Sequence, residues 1–144
     1  MKHLFIIFLL FSTITFSQEY NTKNGVAVKG YDVVSYFHDI AEKGNKKFTT
    51  KYNGVSFRFS SKENLGTFLK NPKKYNPQYG GYCAYAIGKT GAKVDINPKT
   101  FEIRDGKLYL FYNSWGTNTL KMWLKENPEK LKKQADINWR TVNQ

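Results

Sequence analysis

The chain has 144 residues, 23 basic and 11 acidic side chains, a net charge of +12 and one cysteine, Cys83. That length suits one domain that can bury a real core, and one cysteine excludes a disulfide framework, so stability rests on packing of the 24 aromatic residues. The lysines spread over 43–51, 62–74 and 121–133, which reads as a solvated surface rather than a nucleic-acid groove.

Lys2 and His3 precede the apolar run Leu4 to Phe11, and Thr15 and Ser17 supply small residues where a signal peptidase needs them. That order predicts a cleavable signal peptide over residues 1–17. The run is too short for a bilayer core, which takes about 20 residues. An exported protein, periplasmic or secreted, is expected to remain as a single domain over residues 18–144. No later segment is apolar enough to span a membrane.

Gly25 to Phe37 reads as one or two strands with a turn at Lys29-Gly30. Two hairpins follow, turning at Asn53-Gly54 and Asp105-Gly106, dipeptides suited to type I′ turns. A two-residue turn sets Tyr52 opposite Val55, Thr50 opposite Phe57 and Phe48 opposite Phe59. In the second hairpin Ile103 faces Leu108 and Phe101 faces Leu110, while Tyr109 and Phe111 make the other face apolar too. The second hairpin is therefore expected nearer the middle of the sheet, and the first to keep a wet face with Lys51, Ser56 and Arg58.

Each hairpin leads into a helix. Ser60 and Glu63 read as a capping box before Leu65, Phe68 and Leu69, and Asn71-Pro72 ends the pattern. Leu120, Trp123 and Leu124 repeat the spacing up to Asn127-Pro128, and Leu131, Ala135 and Trp139 mark a last helix. The two units suggest an internal duplication in which the second carries about four extra residues near 114–118. Residues 75–97, with Gly80-Gly81-Tyr82-Cys83, read as loop-rich. The fold class is α+β: a small antiparallel sheet built from two β-hairpins, with helices packed on it.

Five segments carry a family resemblance: Gly30-Tyr-Asp-Val-Val-Ser-Tyr-Phe37, Tyr52-Asn-Gly-Val-Ser-Phe-Arg-Phe-Ser-Ser61, Asn71-Pro-Lys-Lys-Tyr75, Pro77-Gln-Tyr-Gly-Gly-Tyr-Cys-Ala84 and Asp105-Gly-Lys-Leu-Tyr-Leu110. In these the chain resembles the YHS domain family, in its exported single-domain bacterial branch. The resemblance implies metal binding, of copper or zinc. The family's metal-binding cysteines fall at Ser35, Ser60 and Asn64, where this chain has no thiol. Soft metals need thiolate or imidazole ligands, which serine and asparagine do not replace.

Cys83 is then the leading candidate, since an unpaired thiol in an exported protein is exposed to oxidation unless it is buried or used. Its glycine neighbours would admit a pocket or a close ligand. Tyr79, Tyr82 and Tyr85 recur around it at a spacing of three and could line such a pocket. For a metal, Cys83 with His38 and Asp32 are the donors on offer. No hydrolase, phosphate-loop or dinucleotide motif is present. The expected function is an exported binding protein taking a metal ion or small cofactor near Cys83. The alternatives are a non-catalytic structural or protein-interaction module, whose partner the residues do not name, and a thiol enzyme with His38 as base.

Overall fold

The computed structural model describes residues 18–144, so the expected signal peptide lies outside the described residues. The fold is α+β with small antiparallel sheets. Strands β1 (Thr22–Lys23) and β2 (Val26–Ala27) lead to the first hairpin, β3 (Asn45–Tyr52) and β4 (Val55–Phe59). Helices α1 (Lys62–Lys70), α2 (Pro72–Tyr75) and α3 (Ala84–Thr90) come next. The second hairpin is β5 (Asn97–Arg104) and β6 (Lys107–Phe111), followed by a short hairpin, β7 (Asn113–Ser114) and β8 (Thr117–Asn118). Helices α4 (Thr119–Glu126) and α5 (Pro128–Val142) close the chain. No helix among the described residues is long and apolar enough to cross a membrane.

Both turns have the expected geometry: Asn53 and Gly54 lie at φ 50° and 78°, Asp105 and Gly106 at 50° and 69°. The pairings of Tyr52, Thr50, Ile103 and Phe101 are those expected, but Asn45 rather than Phe48 stands opposite Phe59. A bulge between Asn45 and Thr49 causes the difference, built on an Asx turn in which Asn45 Oδ1 accepts from the Lys47 N–H at 2.9 Å.

The hairpins do not share a sheet. β2 runs parallel along the free edge of β4, giving the order β1-β2-β4-β3, and β5–β6 form a sheet of their own. Cys83 occupies the corresponding edge of β6 through a parallel bridge to Leu110. With both inner edges covered, the hairpins meet through side chains instead. β6 divides the interior: Leu108 and Leu110 join one core with Phe57, Phe59 and Phe68, while Tyr109 and Phe111 join another with Trp123 and Ile87. Burial pushes the Tyr109 phenol up to about 12.

The backbone repeats. A left-handed turn at 28–30, with φ of 50°, 53° and 82°, recurs at 79–81 with 53°, 60° and 83°. Each is followed by a short helical segment ended by a left-handed residue, Asp39 or Gly91. The bulge recurs between Asn97 and Phe101, where Asn97 Oδ1 accepts from the Lys99 N–H at 3.0 Å. Then comes a helix, and then a second helix entered through Asn-Pro. The extra residues of the second unit form the β7–β8 hairpin, with Trp115 and Gly116 at its turn.

Candidate functional site

The repeat places Asp32 and Cys83 at equivalent positions, each after a Gly-Tyr pair at the end of the left-handed turn. Both are fully buried. Their surroundings are opposite in character.

Asp32 is saturated. Its Oδ1 accepts from the backbone N–H of Val34 at 2.8 Å and of Ser35 at 3.3 Å. Its Oδ2 accepts from Ser60 N–H at 2.8 Å, Ser60 Oγ at 2.9 Å and Asn64 Nδ2 at 2.8 Å. Asn64 Nδ2 also lies 3.3 Å from Ser35 Oγ and 3.4 Å from Ser60 Oγ. The positions where the resemblance sets thiols thus do converge, but on a carboxylate whose lone pairs are taken by five donors. The same carboxylate draws Ser60 away from capping, so the cap of α1 is Ser61, which accepts from the Asn64 N–H at 3.0 Å.

The second half carries Cys83, Ala86 and Tyr112 where the first has Asp32, Ser35 and Ser60. All three line an apolar cleft of about 300 Å³ with Val94, Tyr85 and Thr119. Thr119 donates its hydroxyl to the Tyr112 carbonyl at 2.9 Å, so the Cys83 thiol donates to Thr119 Oγ1 at 3.3 Å. The rim is fixed by Glu126, which accepts from the Tyr85 hydroxyl at 2.7 Å and from Lys89 Nζ at 2.8 Å. Those contacts, Lys89's first, hold the Glu126 carboxyl below its ordinary range.

The other expected residues lie elsewhere. His38 is exposed at the end of its 3-10 helix in the first half. Among the described residues no three His, Cys, Asp or Glu side chains come together to hold a metal ion, so Cys83, His38 and Asp32 do not form a joint site. Tyr79 does not line the cleft: its left-handed backbone turns the ring into the Trp123 core, where its hydroxyl donates to Asp136 at 2.9 Å. Burial, reinforced by the Asp136 charge, holds that phenol far above its ordinary value. Tyr82 packs against Trp139 at the edge of the same core and donates to Glu19 at 3.1 Å. The tyrosines at the cleft are Tyr85 and Tyr112. Of the two, Tyr112 occupies the position that Ser60 holds in the first half. No known family model, curated protein or solved structure matches this chain.

Proposed function

We propose that this is an exported, YHS-like binding protein that takes a small apolar molecule in the cleft over Cys83. One observation carries the reading: the position filled by a bonded carboxylate in the first half holds, in the second, a buried thiol at the floor of an apolar cleft of about 300 Å³. That volume falls at the lower end of ligand cavities, roughly 300–1,000 Å³. An organic ligand fits this lining better than copper or zinc, because Cys83 offers one sulfur and its neighbours offer methyl groups and rings. Thiol catalysis would need a base beside the sulfur, and the exposed His38 belongs to the other half.

Ala92 is exposed on the rim, so Ala92→Trp fills the cleft without entering the core. N-phenyl-1-naphthylamine, a neutral fluorescent probe, should bind the wild type at one site and bind Ala92→Trp at least tenfold more weakly, about 1.4 kcal/mol. Equal affinity for both would sink the cleft as the site. A wild type that ignores the probe would favour the interaction module, for which Trp115, 96% exposed on the β7–β8 turn, is the supporting feature.

Export is supported by the order of basic, apolar and small residues over positions 1–17. N-terminal sequencing of protein from the source cell should begin near Gln18. Abundant protein retaining Met1 would overturn the localisation.

A further inference from the structure

A second pocket, remote in character from the apolar cleft, gathers positive charge. Parallel pairing of β2 with β4 at Val26 and Ser56, and the bridge between Tyr31 and Lys43, bring three stretches of chain together on the wet face of the first hairpin. They enclose a small pocket of about 180 Å³ lined by Lys23, Asn24, Val26, Lys29, Lys43 and Arg58. Four of those six side chains are cationic and none is acidic. Lys29 is paired with Asp95 at 2.8 Å, but Lys23, Lys43 and Arg58 have no carboxylate within ion-pair distance among the described residues.

Arg58 supplies an independent sign. Gly30 and Gly44 pass against its side chain and backbone. Its Nε is the one buried side-chain nitrogen or oxygen among the described residues that lacks a hydrogen-bond partner. A buried donor left unpaired is costly, and a guanidinium carries a fork of five donors matched to tetrahedral oxyanions. Clustered cations without counter-charges also repel one another.

We infer that this pocket binds a phosphate-type oxyanion, with Arg58 as the forked donor and Lys23 and Lys43 as supporting charges. An oxyanion there neutralises the lysines and gives the guanidinium acceptors in a site partly shielded from water. Two sources share that chemistry, a free phosphate and the phosphate of a lipid headgroup.

Calorimetric titration of the mature protein with inorganic phosphate, at ionic strength held constant with chloride, tests the site. Arg58→Gln should bind at least tenfold more weakly than wild type, and Lys43→Gln, altered only at an exposed side chain, should weaken binding in the same direction. Lys70→Gln, an exposed lysine on α1 outside this pocket, removes the same charge and should leave binding unchanged. A parallel arm uses phosphatidylcholine vesicles with and without phosphatidic acid. Arg58-dependent binding to those vesicles without binding of free phosphate assigns the same pocket to a headgroup. No binding in either arm overturns the inference. So does equal weakening by Arg58→Gln and Lys70→Gln, which would make the attraction one of net charge.

Discussion

Replacing Asp32 with alanine is expected to lower folding stability by about 3–5 kcal/mol, measured by urea denaturation. The carboxylate is fully buried and accepts from five donors on three separate segments: its own turn, the end of β4 and the first turn of α1. Hydrogen bonds to a charged group contribute about 1.5–3 kcal/mol each, and removing the acceptor leaves the donors unsatisfied. Asp32→Asn separates charge from shape. The amide keeps the volume but presents an N–H₂ where acceptors are needed, so it too should cost at least about 2 kcal/mol. At the equivalent position Cys83→Ser should cost only about 1 kcal/mol, because its hydroxyl can still donate to Thr119. An Asp32→Asn midpoint equal to wild type would mean that packing, not the bonded carboxylate, holds these segments together.

That contrast bears on what was readable from the chain. The hairpin turns and helix stops were legible because Asn-Gly, Asp-Gly and Asn-Pro act through local backbone preferences. The α+β class followed from them. The separation of the hairpins into two sheets did not, because it depends on which distant segment covers the inner edge of β4 and of β6. Helix α3 reads as loop in the sequence for a related reason. It is seven residues long, lacks a side-chain cap, and gains its stability by packing Ala84 and Ile87 in the core shared with α5.

The site was half legible. Cys83 stood out as the lone thiol, but adjacency in sequence misassigned the tyrosines, because the left-handed turn at 79–81 sends Tyr79 and Tyr82 away from the sulfur. Aligning the two units by their Gly-Tyr pairs would have set Cys83 against Asp32 and Ala86 against Ser35. That exchange of polar for apolar residues is the sequence signal of a plugged site beside an open one. Tyr112 stands directly after β6, at the position of Ser60, whereas Thr119 reaches the cleft through the β7–β8 insertion, whose geometry no local pattern specifies.

Gly80→Ala should destabilise the protein by about 3 kcal/mol or more, and for a reason unconnected with any ligand. The Gly-Gly-Tyr-Cys segment invites the idea that glycine makes room for a bound molecule, but the room is taken by the chain itself. A Cβ at Gly80 would stand 2.0 Å from the carbonyl oxygen of Glu19, and the backbone there is left-handed at φ +60°. The conformation alone costs a residue with a Cβ about 1–2 kcal/mol. Relieving the clash means lifting the N-terminal segment, which Gly80 O holds through Asn21 N–H at 2.9 Å. Tyr20 would then lose its burial, its edge-on contact with Phe57 and its hydrogen bond to Asn76. Burying one such side chain contributes roughly 1.5–3 kcal/mol. Limited proteolysis gives a second readout, since a lifted segment becomes cleavable at Lys23 while the core resists. A variant as stable as wild type and equally resistant at Lys23 would show that the N-terminal segment does not pack on Gly80. Loss of stability without new cleavage would confine the effect to the turn, and the segment would then be held by Tyr20 rather than by its passage over the glycine.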